Sequence, residues 1–226
     1  MSLKTSILPA APTFQRSRAL GLLTGFTAGL LLITLSELGD KTFFIAAILA
    51  MRHPRRWVFV GAIAALFLMT VLSVLLGQVA AIFPQQYVKG VAAFLFIGFG
   101  IKLLVGALKM SDRKGLTDEQ ADAQKAVEKK EKSVIFWSSR AVIIEAFMLT
   151  FIGEWGDRTQ LATITLAAAN NPYGVLIGAT MGHAICAAIA VICGKFIAGR
   201  ISEQLLTGIG GTLFIVFGII AAAQIA

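Results

Sequence analysis

Charged residues are scarce in this chain of 226 residues, where Asp, Glu, Lys and Arg together make up 14% of the sequence. A typical soluble domain contains about 25% charged residues. The mean hydropathy is +0.82 and 57% of the residues are hydrophobic, so the chain is too apolar for a soluble fold. Proline is also rare, with five residues, and the charged runs are short, which argues against a fibrous or disordered protein. We therefore predict one integral membrane domain.

Cysteine and histidine, with two residues each, are too few to suggest a disulfide framework or a zinc or copper site. Cys186 and Cys193 share one apolar segment, and on a helix they would lie about 10 Å apart, beyond the reach of a disulfide. We expect two buried thiols. His183 lies within the same segment, where we expect it to pack and hydrogen-bond. The net charge of +8 comes from basic residues that flank apolar stretches, so it favours a membrane surface over nucleic acid.

Six apolar segments are each near or above the roughly 20 residues that cross a bilayer. They cover residues 19–51, 57–83, 87–109, 141–169, 173–198 and 204–223. The first is longer than a signal peptide's apolar core, so we expect a retained helix. The first and fourth segments carry charged residues beside a glycine near their middle, which predicts kinked or broken helices.

The stretch from 109 to 140 is strongly polar, with eight Lys/Arg and six Asp/Glu. We expect residues 117–132 to form a solvated helix or a disordered linker. The segment ends at 52–56, 109–140 and 195–203 hold thirteen Lys/Arg, against four on the other side, which carries both termini. The positive-inside tendency therefore predicts a cytoplasmic central loop and both termini on the opposite side.

An internal repeat relates the two halves of the chain. Residues 36–42 (SELGDKT) match residues 153–159 (GEWGDRT) at an offset of 117, and residues 95–101 match 213–219 after one further residue. We predict an all-α membrane protein of two three-helix repeats. Because three is odd, the repeats would cross the membrane in opposite directions, as in many secondary transporters. The predicted parts are a tail (1–18), the first repeat (19–109), a charged cytoplasmic linker (110–140) and the second repeat (141–226).

Each repeat carries a Glu-x-Gly-Asp-(Lys/Arg)-Thr motif within an apolar segment. On a helix the Glu and Asp, three residues apart, share one face, so two motifs meeting across a pseudo-twofold axis would converge four carboxylates. Such groups are costly at membrane depth without a partner. Oxygen ligands suit Mn²⁺, Ca²⁺ and Mg²⁺. The predicted ligands are Glu37, Asp40, Glu154 and Asp157.

The other motif residues have predicted supporting roles. Gly39 and Gly156 would let the backbone break and expose carbonyl groups. Thr42 and Thr159 either add hydroxyl ligands or bond back to their own helices, two alternatives that the sequence leaves open. Gln160 follows the second motif and is a candidate to offer a carbonyl oxygen to the ion or to contact the first motif.

Summing the charges suggests how such a site would work. Four carboxylates with Lys41 and Arg158 leave a formal charge of about −2, which one divalent cation or two protons would neutralise. Metal and protons competing for one site form a basis for exchange. Alternatively, these two cations snorkel to an interface or pair with Asp40 and Asp157. Glu145 is a candidate vestibule proton relay or an interfacial charge.

With its two E-x-G-D-(K/R)-T motifs, its three-helix halves and its charged central loop, the chain resembles the Gdt family of cation/proton exchangers. The resemblance covers nearly everything from Ala19 onward, and both motif copies are intact. It implies proton-driven export of Mn²⁺ and/or Ca²⁺ from the cytosol, with no permanently bound cofactor. The family includes Golgi, plastid and cyanobacterial members. Because a long targeting region is lacking, we expect a bacterial inner membrane, or a cyanobacterial thylakoid or plasma membrane.

The size, hydropathy and carboxylates of the chain also fit other functions. An exporter of basic amino acids has comparable size and hydropathy, and four carboxylates would suit its substrate too. A passive divalent-cation channel is a further alternative. An intramembrane enzyme is disfavoured because the adjacent cations would keep the carboxylates ionised instead of sharing one proton. The sequence leaves open Mn²⁺ against Ca²⁺, the proton stoichiometry and whether the chain forms a homo-oligomer.

Overall fold

The fold is described from a computed structural model, which covers residues 12–109, 118–131, 138–197 and 203–225. Within these ranges the chain is α-helical, without strands. The helices are α1 (Pro12–Glu37), α2 (Lys41–Arg52), α3 (Arg55–Ala80), α4 (Gln85–Lys109), α5 (Asp118–Glu131), α6 (Ser139–Glu154), α7 (Arg158–Ala169), α8 (Pro172–Ile197) and α9 (Glu203–Ala223). Residues 1–11 of the predicted tail (1–18) and most of the predicted linker (110–140) outside α5 lie outside the described residues.

The helices follow the predicted segments closely, and the predicted interruptions are present. The first segment is divided into α1 and α2 by residues 38–40, and the fourth into α6 and α7 by residues 155–157. The other four segments each form one helix. Within the described ranges, four stretches are long and apolar enough to cross a membrane, and a shorter apolar stretch lies in α9 at Thr207–Ala223. The four are Ala19–Glu37, Arg55–Ala80, Gln85–Lys109 and Pro172–Cys193.

Large apolar side chains cover the outside of the helix bundle. Ile82 is 81% exposed, Phe94 77% and Leu108 82%. Contiguous apolar surface of this kind is unfavourable in water, but it is the normal lipid-facing surface of a membrane protein. The chain is a membrane protein of packed helices.

Helices from the two halves of the sequence pack against each other. Helix α1 lies along α8, α4 lies along α9, and α3 contacts α6, α7 and α8. One apolar cluster joins α2, α3, α6 and α8, and a second joins α1, α3, α4, α7, α8 and α9. The halves therefore share one interior.

Glycines at matching positions of the repeat allow this close packing. A Cβ atom on Gly61 of α3 would overlap the backbone oxygen of Ile143 in α6. A Cβ on Gly178 of α8 would overlap the backbone oxygen of Phe26 in α1. Both residues of the first contact lie 117 positions from those of the second, so the two contacts are related by the repeat. In membrane interiors, small residues allow such close backbone approach.

Helix α5 differs from the expected solvated helix or disordered linker. It packs against α2, and its Ala123 and Val127 are fully buried in the cluster formed with α2, α3 and α6. Its other face is charged and exposed, and Lys125 pairs with Asp122 there at 3.6 Å. Two buried apolar residues, four positions apart in a mostly polar stretch, gave too weak a hydrophobic pattern to predict this packing.

Adding a methyl group at Gly178 should destabilise the fold. Gly178→Ala would force α1 away from α8, at a cost of about 1–3 kcal/mol. Gly98→Ala is the matched control, since Gly98 lies in α4 with nothing within 4 Å of the added Cβ. We expect thermal unfolding of the detergent-solubilised protein at a clearly lower temperature for Gly178→Ala only. Equal midpoints for the two variants would contradict the close packing of α1 and α8.

Candidate metal centre

Each motif lies where one helix ends and another begins. Helix α1 ends at Glu37 and α2 starts at Lys41, while α6 ends at Glu154 and α7 starts at Arg158. The glycines between them have φ angles of 82° at Gly39 and 81° at Gly156. This left-handed conformation is disfavoured for residues with a side chain, which explains the glycine in both motifs. Each glycine therefore breaks the helix between the Glu and the Asp of its motif, and the second break is exposed at Trp155 and Gly156.

The break puts the two carboxylates of a motif on different helix ends. Asp40 and Asp157 occupy the N-cap positions of α2 and α7, and Asp40 accepts a 2.8 Å hydrogen bond from the backbone N–H of Lys41. A helix N-terminus favours a negative charge. Glu37 and Glu154 instead end their helices and are each 3% exposed. The glutamates are therefore the more deeply buried carboxylates, at the helix ends that favour them less.

Three of the four predicted metal ligands converge directly. Glu37, Asp40 and Asp157 each offer an oxygen atom, and these atoms all lie within 4.8 Å of one another. Glu37 comes from the first motif and Asp157 from the second, so the cluster lies between the two halves. Glu37 is buried, whereas the aspartates are half-buried. Three carboxylate oxygens at this spacing are close enough for one cation to bind all of them.

Glu154 is joined to this cluster through a threonine. The hydroxyl of Thr159 lies 3.3 Å from Oε2 of Glu154 and 3.3 Å from Oδ2 of Asp157. In the first motif the hydroxyl of Thr42 lies 3.4 Å from Oε2 of Glu37. Both motif threonines therefore point their hydroxyl groups at the glutamate five residues earlier, and neither bonds back to its helix. Glu154 lies outside the group of three whose oxygens meet directly.

Arg158 links the two motifs. Its Nη2 lies 3.2 Å from Oδ2 of Asp40, and the same nitrogen donates to the backbone oxygen of Ser36 at 3.4 Å. Pairing of Lys41 and Arg158 with Asp40 and Asp157 was one alternative that the sequence left open, but the sequence did not specify that Arg158 would pair with Asp40 of the other motif. Among the described residues Lys41, its counterpart, forms no ion pair. The two cations of the repeat therefore lie in different environments.

The side-chain amide of Gln160 stabilises the second helix break. Its Oε1 accepts a 2.7 Å hydrogen bond from the backbone N–H of Gly156, and its Nε2 lies 3.1 Å from the sulfur of Met69 in α3. The carbonyl oxygen predicted as a ligand for an ion is thus bonded to the backbone. The contact to the other half is made with α3 and not with the first motif.

Sequence reasoning gave no role to a small cavity next to Glu37. The cavity is about 10 Å³ in volume, and its polar lining comprises Glu37, Thr42, Thr150, His183 and Cys186. Thr150 lies four residues before Glu154, one helical turn away. This spacing was the only indication in the sequence that Thr150 lies near a motif. Both cysteines are free, as predicted, but only Cys186 is buried, whereas Cys193, also expected to be buried, is half-buried. Glu145 is also buried, at 4% exposure, but does not line this cavity.

Comparisons with known proteins agree with this geometry. Residues 25–111 and 142–225 match the family described as divalent cation/proton antiporter GDT1. The chain belongs to the GDT1 family. It is 55% identical over 201 residues to a GDT1-like protein of Synechocystis, covering 88% of this chain and 97% of that one. Both motifs fall within the matched ranges, so the resemblance predicted from them is confirmed.

More distant relatives are found in plants. GDT1-like protein 5 of Arabidopsis thaliana is 41% identical over 216 residues, covering 88% of this chain and 95% of its own length. GDT1-like protein 3 of rice, subspecies indica, is 40% identical over 205 residues, covering 88% of this chain and 74% of its own. No solved structure matches the chain. Membership of an antiporter family agrees with a transporter and with the prediction that the chain is not an enzyme.

The left-handed glycine of the second motif offers a test of the broken helix. Nothing lies within 4 Å of a Cβ atom added to Gly156, so Gly156→Ala should be penalised only by its backbone conformation, at about 1–2 kcal/mol. Gly156→Asn should recover part of this loss, because asparagine tolerates the left-handed region better. Gly106→Ala, also with open space around it, serves as the control in thermal unfolding. If Gly156→Ala and Gly106→Ala unfold at the same temperature, the break has a different conformation.

Proposed function

We propose that this chain exports a divalent cation, Mn²⁺ and/or Ca²⁺, from the cytosol in exchange for protons. The cation would bind a carboxylate site shared by the two halves, near the middle of the membrane. The observation that carries the proposal is the meeting of Glu37, Asp40 and Asp157 within 4.8 Å at the two helix breaks. Membership of the GDT1 family supports the substrate class.

The proposed architecture is six spans in two inverted repeats, with α1–α2 and α6–α7 as broken spans. Reciprocal contacts support it. Gly100 in α4 packs on Ile215 in α9, and Gly218 in α9 packs on Ile97 in α4, which are matching positions of the repeat. Helices α2 and α7 end alike too, with hydrogen bonds of 2.8 Å from His53 to Leu49 and from Asn170 to Leu166. Two similar halves of three spans each must cross the membrane in opposite directions.

The proposed orientation puts the central segment in the cytoplasm and both termini on the opposite side. Helix α5 supports one part of it, because it packs on α2 and shares a cluster with Leu49 and Val58. The central segment and the α2–α3 connection would then lie on the same side, as the distribution of Lys and Arg requires. A bacterial inner membrane, or a thylakoid or plasma membrane of the kind found in cyanobacteria, is the proposed location.

Charge balance explains why the cargo and protons would be exchanged. With Glu37, Asp40, Glu154 and Asp157 ionised and two cations nearby, the site has a formal charge of −2. Buried in a low-dielectric interior, such a site is costly to move without a counter-charge. One divalent cation or two protons would remove that charge equally well. The protein could then change its access from one side to the other in either loaded form but not when empty.

Removing one glutamate charge should nearly abolish transport. In proteoliposomes, Glu37→Gln and Glu154→Gln should each lower Mn²⁺ or Ca²⁺ flux by at least tenfold, because a lost charge-assisted ligand costs about 1.5–3 kcal/mol. Glu128→Gln on the exposed face of α5 is the matched control and should transport as the wild type does. Normal flux through either buried-site variant would contradict a site shared by both halves.

Metal binding should release protons and should strengthen as the pH rises. Protons and metal compete for the same oxygens, so raising the pH removes the competitor and lowers the apparent Kd for the metal. Isothermal titration calorimetry in two buffers of different ionisation enthalpy would count the protons released. Binding that is independent of pH and releases no protons would leave a divalent-cation transporter but remove the exchange mechanism.

Two alternatives predict different results in the same vesicles. An exporter of basic amino acids would show competition between lysine and Mn²⁺, whereas a metal exchanger would not. A passive channel would let metal equilibrate but could not be driven uphill by an imposed pH gradient. The exchanger predicts that inverting the pH gradient reverses the direction of metal accumulation.

A further inference from the structure

The cavity beside Glu37 contains an unusual concentration of buried polar atoms without hydrogen-bond partners. Oε1 of Glu37, Oγ1 of Thr150 and Nδ1 of His183 are all inaccessible to solvent and unpartnered. The three residues are 3%, 1% and 5% exposed and line the same cavity. An unsatisfied buried polar group costs about 1–3 kcal/mol, so three of them around one cavity indicate a missing common partner.

Thr150 differs from three other buried threonines of the described helices. The hydroxyls of Thr70, Thr163 and Thr165 each donate to the backbone oxygen four residues earlier, at 2.7, 2.8 and 3.0 Å. Such bonding to its own helix is the common way to satisfy a helical threonine in an apolar interior. The Thr150 hydroxyl makes no such bond, although it is equally buried. Its donor and acceptor capacity remains available to the cavity.

The cavity has the size and lining that one water molecule requires. A volume of about 10 Å³ is close to the minimum for a single water, which also needs two to four polar partners. Glu37 offers an acceptor, the Thr150 hydroxyl can donate and accept, and the imidazole nitrogen does one or the other. One water would satisfy all three. The other polar lining residues already have partners, since Thr42 donates to Oε2 of Glu37 and Cys186 donates to the backbone oxygen of Thr34. The remaining lining is apolar.

We propose that this cavity binds one water molecule that hydrogen-bonds Glu37, and that Thr150 and His183 are positioning residues which act on the metal site through it. The inference rests on the proposed function, because it assigns Glu37 as a ligand. Oε2 of Glu37 already receives the Thr42 hydroxyl, so the water would hold the second oxygen and fix the orientation of the carboxylate. Hydrogen-bonded groups behind a metal-binding carboxylate commonly contribute 10-fold to 100-fold in affinity.

The repeat makes this site specific to the first motif. At an offset of 117 the counterparts of Thr150 and His183 are Ile33 and Leu66, both apolar. The two positions that would hold this water are therefore apolar around the second motif. Glu37 and Glu154 occupy the same position in their motifs, but the side chains beside them differ.

The test compares binding of Mn²⁺ and of Ca²⁺ to the full-length purified protein by calorimetry. Thr150→Val keeps the shape of the side chain but removes the hydroxyl, and should weaken metal binding about 10-fold or more. Thr150→Ser keeps the hydroxyl and should bind the metal as the wild type does. Thr165→Val is the matched control, because its hydroxyl bonds to its own helix. Its affinity should equal that of the wild type. Thermal unfolding of each variant separates a lost fold from a lost contact.

A double-mutant cycle distinguishes a shared water from two separate packing roles. His183→Leu alone should weaken binding as Thr150→Val does, and the double variant should be little worse than either single one, since each removes the same bridge. Additive losses, or wild-type affinity in Thr150→Val, would overturn the inference. If Thr150→Val binds normally while Glu37→Gln loses binding, the water site alone fails. If Glu37→Gln also binds normally, the proposed function fails with it.

Discussion

The structure depends on the burial of two glutamates inside a helix bundle. Glu37 and Glu154 are almost inaccessible, and each lies at the C-terminal end of a helix, where the helix dipole opposes a negative charge. Threonine hydroxyls, Arg158 and the aspartates at the N-caps of α2 and α7 surround them, but the site keeps a net negative formal charge. In the proposed function, a mobile positive partner, either a metal ion or protons, neutralises that buried charge. The cost of burying this negative charge is thus the reason that the site would bind a cation or protons.

Bringing two such motifs together requires the helices to approach more closely than ordinary side chains permit. The glycines at 61 and 178 remove that obstacle at matching points, and the left-handed glycines at 39 and 156 turn the chain so that each Asp faces inward at the start of a new helix. The backbone supplies the geometry and the carboxylates supply the charge. None of these glycines carries a side chain that could bind a cation, yet together they favour the meeting of Glu37 and Asp157.

Much of this arrangement could be predicted, because it is encoded by local pattern. Hydropathy located the helices, charge beside glycine located both breaks, and the repeat indicated that the motifs meet. Contacts between side chains distant in sequence could not be predicted in this way. The Arg158–Asp40 pair crosses 118 residues, and the hydroxyl of Thr159 holds Glu154 beside the carboxylate cluster instead of in it. A helix at α5 was one of the two alternatives expected, but its packing was missed because the buried apolar residues Ala123 and Val127 are outnumbered by charged neighbours.

The motifs are nearly identical, but their surroundings are not. Arg158 bridges to the other motif while Lys41 forms no ion pair in the described part of the chain, Gln160 replaces Phe43, and polar residues near Glu37 stand where the other half has apolar ones. In an exact twofold site both glutamates would bind metal and protons with equal affinity. Unequal surroundings allow one carboxylate to hold its ligand more tightly than the other. A transporter that must load on one side and release on the other gains from that inequality, because a fully symmetric site would have no preferred order of loading.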